Sequence, residues 1–283
     1  MIDIKSYCFL FNGEEIIVRN NDDNIEFFLV EEVKKLGVDD SKIIYIGTYE
    51  ENKYYTASIH NEEETGSYVA VDLNDIYDEI SEKLFMLVFR AMNFKNWMET
   101  NKHCNCCGAK IHLEPDKTYM QCESCGHIVY PLLTPAIIVA VLKEDKILLA
   151  RSPHFPPKFF SLISGHVDPG EYIEGTVVRE VREETGIEIK NLKYLGSYSW
   201  PFPDKLMFAF IAEYDSGEIQ IDNEEIVEAG WFPLDDLPET PSNKYSLAKK
   251  IINYVIKCNK DNNFNKPFMR EESYKYKYND KLQ

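Results

Sequence analysis

Long hydrophobic runs are absent from this 283-residue chain, and no apolar stretch approaches the roughly 18 residues that a membrane-spanning helix needs. The N-terminal segment carries acidic residues where a secretory signal would be basic and then apolar. Positive charge is also scarce, because 31 Lys and Arg face 48 Asp and Glu, which gives a formal net charge of −17. This balance argues against broad electrostatic binding to nucleic acid or to an anionic membrane. We therefore expect a soluble cytoplasmic protein with no membrane partner.

Cysteine is rare outside one short segment. Cys8 and Cys258 stand alone, and the other five of the seven cysteines lie between residues 104 and 125. An odd cysteine count without a secretion signal indicates reduced thiols and metal binding rather than disulfides. We find no internal repeat in the sequence. Hydrophobic residues make up 44% of the chain and aromatic residues 13%, which is enough to build packed cores and excludes an intrinsically disordered protein.

Changes in the residue pattern predict an α/β protein in four parts. Residues 1–100 contain short runs rich in Ile, Val and Tyr, and predict a small β-rich domain that ends in a linking helix. Residues 101–131 hold the clustered cysteines. Residues 132–258 alternate apolar runs of strand length with helical segments, one of them at 173–185. Residues 259–283 form a tail without strong periodicity.

Two cysteine pairs have the spacing of a zinc ribbon. The pairs are Cys104 with Cys107 and Cys122 with Cys125. A glycine follows the second cysteine of each pair, and 14 residues separate the pairs. Four thiolates match tetrahedral Zn²⁺, and each glycine lets the chain turn tightly so that backbone N–H groups can face the sulfurs. The pattern predicts one structural zinc ion per chain. Cys106 is then a spectator or an alternate ligand.

Three glutamates converge on the predicted helix, which Gly186 is expected to end as a C-cap. Glu180, Glu183 and Glu184 stand at positions i, i+3 and i+4, so their carboxylates share one face and repel one another unless a cation lies there. Hard divalent cations with oxygen ligands, Mg²⁺ or Mn²⁺, fit this arrangement. Arg179 is four residues before Glu183 and can hold that carboxylate in an ion pair.

These residues belong to a longer motif, Gly-x5-Glu-x7-Arg-Glu-U-x-Glu-Glu-x-Gly-U, in which U is aliphatic. Every specified position is present: Gly165, Glu171, Arg179, Glu180, Val181, Glu183, Glu184, Gly186 and Ile187. The chain therefore resembles a Nudix hydrolase. The resemblance implies an α/β/α sandwich with a mixed sheet, a catalytic Mg²⁺ or Mn²⁺, and hydrolysis of a nucleoside diphosphate linked to another moiety.

A second motif resembles the NAD(H) pyrophosphatase branch of that family, which also carries a zinc ribbon before its Nudix domain. The branch signature is Ser-Gln-Pro-Trp-Pro-Phe-Pro-x-Ser, and here Ser197 opens the sequence Ser-Tyr-Ser-Trp-Pro-Phe-Pro-Asp-Lys. Tyr198, Ser199 and Lys205 depart from the signature. His166 also departs, because the branch usually has Phe there, and an imidazole ring can still stack on a base.

The branch implies roles for particular residues. The implied catalytic residues are Glu183, Glu184 and Arg179, with Glu183 activating the water or holding the residue that does so. The implied ligands of the catalytic metal are the Ser164 carbonyl, Glu180, Glu184 and Glu225, and both Glu224 and Glu228 are rivals of Glu225. The implied substrate contacts are His166, Tyr198, Ser199, Trp200, Pro201, Phe202, Pro203, Asp204, Lys205 and Ala248.

The resemblance implies hydrolysis of NADH and NAD⁺ to nicotinamide mononucleotide and AMP by a homodimer. It also implies action on the NAD cap of RNA 5′ ends, which an acidic protein can read locally without binding the RNA body tightly. Two alternatives stay open. One is hydrolysis of another nucleoside diphosphate derivative such as ADP-ribose, since one fold supports several substrates. The other is a nucleotide-sensing module without turnover, against which all three helix glutamates argue.

Overall fold

A computed structural model of the chain describes residues 3–21, 24–59, 68–76, 79–113, 117–200, 204–221, 223–243, 245–261, 263–264 and 268. The chain folds as two compact units, the first reaching Leu132 and the second starting at Leu133. None of the described helices is both long enough and apolar enough to cross a bilayer. The division into four parts stays a prediction.

Unit 1 is built on a mixed sheet. Its elements are β1 (Tyr7–Asn12), β2 (Glu15–Asn21), β3 (Asn24–Glu26), β4 (Phe28–Leu29), α1 (Val30–Lys35), a 3₁₀ turn (Asp40–Lys42), β5 (Ile44–Tyr49), β6 (Asn52–Ser58), β7 (Tyr68–Val71), α2 (Leu73–Ile76), α3 (Glu82–Thr100), β8 (Met120–Gln121) and β9 (Ile128–Val129). The strand order is β3-β2-β1-β6-β5, while β4 pairs with β1 and β7 with β2. β1 and β6 run parallel, and the other pairs are antiparallel.

The predicted linking helix begins at Glu82, where the Ser81 hydroxyl caps it by accepting a hydrogen bond from the Leu84 N–H at 3.3 Å. This helix, α3, packs against β5 and β6 and buries apolar side chains such as Val88 and Trp97. It is therefore part of the core of unit 1.

Unit 2 carries the candidate site. Its elements are β10 (Thr134–Lys143), β11 (Lys146–Arg151), β12 (Ile163–His166), α4 (Ile173–Thr185), β13 (Glu188–Trp200), β14 (Lys205–Ser216), β15 (Glu228–Pro233) and α5 (Leu247–Lys260). The strand order is β13-β14-β10-β11-β15, and β12 pairs with β10. Only the β10–β14 pair is parallel among these described strands, so the sheet is mixed, as expected.

The central strand β10 packs a helix on each face. Ile137, Val139 and Val141 form a core cluster with Val177 and Val181 of α4. Side chains alternate between the two faces of a strand, so the buried residues between them point the other way, where α5 packs against β10. The predicted α/β/α sandwich is confirmed.

Two strands, β11 and β12, share one edge of β10, and the gap between them positions the site. β11 pairs with the end of β10 at Leu142 and Lys143, whereas β12 pairs with its beginning, from Ala136 to Val139. β11 and β12 therefore separate, and a space opens between the end of β11, β12 and the helix that follows.

Unit 1 has the same topology, although its sequence showed no repeat. β1 shares one edge between β2 and β4 and pairs in parallel with β6 on the other edge, as β10 does with β11, β12 and β14. In both units a helix follows the short strand that pairs with the beginning of the central strand, α1 after β4 and α4 after β12. The described strands of the two units therefore share one topology.

Candidate active site

The helix α4 places its glutamates in two different environments. It runs from Ile173 to Thr185, as predicted, and ends at Gly186, whose φ of 70° is left-handed and is easily adopted by glycine. Glu180 and Glu184 lie on its buried face and are 7% and 5% exposed. The side chain of Glu183 is 60% exposed. Two carboxylates on the inner face of one helix need cationic or hydrogen-bonding partners.

Arg179 organises the segment before and within this helix. Its guanidinium donates to both oxygens of Glu171, at 2.6 and 2.9 Å, and to the backbone carbonyl of His166 at 3.0 Å. The predicted ion pair with Glu183 is present at 2.8 Å, and Glu180 lies 3.0 Å away. These contacts tie the loop after β12 to α4. They make Arg179 a positioning residue, and its catalytic role stays a prediction.

Glu171 is a structural anchor that the sequence analysis assigned to the motif but gave no role. Besides Arg179, its carboxylate accepts from the Thr176 hydroxyl at 2.8 Å and from the Asp168 N–H at 3.1 Å. These hydrogen bonds lower the pKa of Glu171 to about 2, so the side chain is charged throughout the neutral range.

Gly165 allows the Glu180 carboxylate to approach the backbone of β12. A Cβ atom at position 165 would lie 2.5 Å from Glu180 Oε2 and nearer still to the other atoms of that carboxyl group. With the Glu180 carboxyl group in this position, a side chain at residue 165 would overlap it. Ser164, the predicted carbonyl ligand, is the adjacent residue on the same strand.

A cavity of about 460 Å³ lies at the split between β11 and β12. Ser164, Glu184, Glu224 and Glu225 line it, so four predicted metal-site residues or rivals, from three separate parts of the chain, meet there. Glu228 is not on the described lining and instead pairs with Arg151 at 3.2 Å. The geometry therefore favours Glu225 or Glu224 over Glu228.

The charge of Glu225 acts on Glu180, on the buried face of α4. Burial raises the pKa of Glu180, and the negative charges of Glu183 and Glu225 add to this, while Arg179 opposes it. Burial also lowers the pKa of His166, helped by Lys205 and opposed by Asp168 and Glu225. A group of neighbouring carboxylates in which burial raises the pKa of Glu180 is an arrangement that a divalent cation stabilises.

Among the described residues of the predicted substrate set, His166 ends β12, Tyr198 to Trp200 end β13, Asp204 and Lys205 stand at the start of β14, and Ala248 is on α5. Tyr198, Ser199 and Trp200 pair with Met207, Leu206 and Lys205, in that order. Tyr198 is buried, and Lys250 covers its ring with Nζ 4.5 Å from the centroid.

The other predicted substrate residues differ in their settings. Asp204 has a positive φ of 33°, and its carbonyl accepts from the Thr134 N–H at 2.8 Å. Ala248 is buried on α5. Pro201, Phe202 and Pro203 fall outside the described residues.

One wall of the cavity, the segment Ser152–Phe155 between β11 and β12, was not among the site residues predicted from the sequence. His154 and Phe155 line the cavity beside Glu184 and Glu225. The available signal was the proline-rich sequence Ser-Pro-His-Phe-Pro-Pro directly after a strand, which is typical of an ordered loop.

The four predicted zinc ligands lie together in unit 1. All four Sγ atoms are within 4.8 Å of one another. The Cys104–Cys125 and Cys107–Cys122 sulfur distances are 3.7 and 3.6 Å, and a tetrahedron with Zn–S bonds of about 2.3 Å has edges of roughly 3.8 Å. The cluster can therefore bind zinc.

The turns around the cluster also have the predicted form. Gly108 and Gly126 have φ values of 75° and 74°, and the N–H groups of both donate to the first cysteine carbonyl of their pair at 2.8 Å. The Cys106 N–H donates to Cys104 Sγ at 3.4 Å, but the Cys106 thiol is not part of the described cluster.

Comparison with known proteins agrees with this geometry. Residues 132–254 match the NUDIX domain, and residues 5–97 match the NADH pyrophosphatase-like rudimentary NUDIX domain. The NAD-capped RNA hydrolase NudC of Pseudomonas aeruginosa (strain LESB58) is 45% identical over 172 residues, which are 61% of this chain and 62% of that relative. The protein of the same name from Citrobacter koseri is 37% identical over 215 residues, 76% of this chain and 81% of the relative.

The chain thus spans less than two thirds of the P. aeruginosa relative but most of the C. koseri one. The second match joins both domains in one alignment at well above 30% identity. The buried glutamates, Arg179 and Gly165 are all positions of the Nudix motif. This chain belongs to the Nudix hydrolase family, in the branch that joins a NADH pyrophosphatase-like rudimentary NUDIX domain to a NUDIX domain.

Proposed function

We propose that the protein hydrolyses the central pyrophosphate of NADH and NAD⁺, in a reaction that needs a divalent metal, and releases nicotinamide mononucleotide and AMP. We propose the same cleavage at the NAD cap of RNA 5′ ends. The observation that carries the proposal is the cavity that joins Glu184 of the Nudix helix to Glu225 and Ser164. The names of the relatives support the substrate, since they are NAD-capped RNA hydrolases.

The donor set fits Mg²⁺ or Mn²⁺. Carboxylate and carbonyl oxygens are the ligands that these hard cations prefer, and the close approach of Glu180 to Gly165 brings one such carboxylate against the strand that carries Ser164. Glu180, Glu184, Glu225 and the Ser164 carbonyl would hold the metal, with Glu224 as the rival of Glu225. Bound there, the cation supplies neutralisation of the pyrophosphate charge and a lower pKa for the attacking water.

The chain's own residues would orient the reaction. A water oxygen attacks one phosphorus, the bond from that phosphorus to the bridging oxygen breaks, and the other mononucleotide leaves with its phosphate. Glu183 would accept the proton of the water or hold the carboxylate that does. Arg179 keeps Glu183 in place through its 2.8 Å contact, which is a positioning task.

The remaining assignments belong to the same proposal. His166, the segment from Tyr198 to Lys205, and Ala248 would contact the substrate, and the four clustered cysteines would hold one structural zinc ion. We propose a homodimer, as the branch implies. The net charge of −17 favours local reading of an RNA cap over tight binding to the RNA body.

ADP-ribose is the second candidate substrate. It shares the pyrophosphate and the adenosine half with NAD⁺ but lacks nicotinamide. His166 in place of Phe, together with Tyr198 and Ser199 in the altered signature, favours it, because these changes fall among the substrate contacts that the branch implies.

Product analysis tests the proposal. Purified protein with Mn²⁺ or Mg²⁺ is incubated with NADH, NAD⁺, ADP-ribose and NAD-capped RNA, and the products are separated by chromatography. We expect mononucleotide and AMP from NADH or NAD⁺ with the highest kcat/KM. Preferred cleavage of ADP-ribose would overturn the dinucleotide assignment and keep the Nudix chemistry. Tight nucleotide binding without turnover of any substrate would identify a sensing module instead.

A further inference from the structure

Phe155 is a large aromatic side chain in the wall of the carboxylate cavity. It lines this cavity together with Glu184 and Glu225, and 37% of its surface is left exposed. Among the described residues of the lining it supplies the only phenyl or indole ring, and His166 is not on that lining. An apolar ring is thus available beside the carboxylates of the proposed metal site.

The turn that carries Phe155 is ordered before any ligand binds. The Phe155 N–H donates to the Ser152 carbonyl at 3.0 Å, and the His154 N–H faces the Ser152 hydroxyl at 3.4 Å. Prolines at positions 153 and 156 restrict the backbone on both sides. Phe159 packs against the Phe155 ring, with centroids 5.1 Å apart and the planes at 66°. A ring fixed in this way loses little conformational entropy when it binds a ligand.

We infer that Phe155 stacks on one base of the nucleotide substrate, adenine or nicotinamide, and so determines substrate affinity in this chain. The cavity of about 460 Å³ lies in the lower half of the range of small-molecule pockets, roughly 300–1,000 Å³, and suits one nucleotide half better than a whole dinucleotide. The other half then extends toward the loop that carries His166 and Asp168. The inference rests on the proposed function in one respect, that the substrate is a nucleotide.

Steady-state kinetics of Phe155→Leu and Phe155→Trp test the inference. Stacking of a base on an aromatic ring is worth about 1–3 kcal/mol, so Leu, which keeps the apolar volume, should raise KM about 5- to 150-fold and leave kcat within about twofold. Trp should restore a KM near that of the native protein. Tyr194→Leu is the matched control, because Tyr194 is an exposed ring of the same unit that does not line the cavity, and it should leave KM unchanged.

Fluorescence gives a readout that a packing role would not change. In a Glu184→Gln background, which prevents turnover, AMP or nicotinamide mononucleotide should quench the tryptophan introduced by Phe155→Trp, so that this variant loses more emission than the same protein with Phe155. Unchanged KM in Phe155→Leu together with no added quenching would reduce Phe155 to a packing partner of Phe159. If the native protein cleaves no dinucleotide, the proposed function fails, and the AMP titration still decides the role of Phe155.

Discussion

Replacing Gly165 by alanine should separate catalysis from stability. The added Cβ would lie 2.5 Å from Glu180 Oε2 and closer to the rest of that carboxyl group, whereas nonbonded contacts need about 3.5 Å. The carboxylate must therefore move by about 1 Å. Because it is the end of a flexible side chain, the fold can absorb the move at little cost.

The same displacement is severe for a metal ligand, whose position is defined to within about 0.2 Å. A misplacement of about 1 Å in a reacting assembly costs on the order of 10²-fold in rate. We expect Gly165→Ala to lower kcat/KM by about that factor, to require more Mn²⁺ for half-maximal activity, and to melt within a few degrees of the native protein.

Gly175→Ala is the matched control, since it lies in the same helix. Its new Cβ would meet only the ring of the exposed Tyr172, at 3.1 Å, and alanine favours a helix over glycine by about 1 kcal/mol. This variant should be as active as the native protein and at least as stable. Equal kcat/KM and equal metal dependence in Gly165→Ala and Gly175→Ala would refute the assignment of Glu180 to the metal site.

Three further perturbations follow from the same contacts. Glu184→Gln should reduce turnover by several orders of magnitude with the fold intact, while Glu174→Gln on the exposed face of α4 should not, and near-native turnover in a metal titration would remove Glu184 from the site. Cys122→Ser should lose zinc by metal analysis and lower the melting temperature, in contrast to Cys106→Ser, and undiminished stability with full zinc content would contradict the site. Since the pKa of Glu171 is lowered to about 2 from 4.5, its contribution to stability is complete above about pH 4.5 and is lost as the pH falls toward 2. Glu171→Gln should therefore melt lower than the native protein at pH 7 and converge with it near pH 2, and parallel melting curves at both pH values would argue against the Arg179 anchor.

The local features of the site were predictable because short-range rules control them. The end of α4 at Gly186, the pairing of Arg179 with Glu183 and the geometry of the cysteine turns each depend on residues within a few positions of one another. Which glutamates are buried and which are exposed was not predictable. Whether Glu180 or Glu183 is buried depends on which face of the helix meets the sheet. The choice among Glu224, Glu225 and Glu228 as a metal ligand could likewise not be made from the sequence, since Arg151 on β11 pairs with Glu228 on the neighbouring strand.

The topology that the two units share allows their corresponding residues to be compared around the proposed site. Arg19 on β2 corresponds to Arg151 on β11, because each lies opposite the first residue of the neighbouring strand, Tyr68 or Glu228. In unit 2 that arginine pairs with Glu228, and the cavity beside it stays open. In unit 1 it pairs with Glu32 of α1 and donates to the Tyr68 hydroxyl at 3.2 Å.

The two units also differ in the connection from the short strand to the helix that follows it. In unit 1, Leu29 is both the last residue of β4 and the N-cap of α1, which is six residues long. In unit 2, six residues separate β12 from a helix of 13 residues, and that loop and helix hold Glu171, Arg179 and the three glutamates. The rings of Phe28 and Tyr68 stack in the core of unit 1, with their centroids 4.4 Å apart. In unit 2 this loop lets Arg179 anchor the segment before the helix, while Glu180 and Glu184 lie one turn apart on the buried face of α4. No loop of this kind lies between β4 and α1, so the same strand order carries the proposed catalytic metal site in unit 2 alone among the described residues.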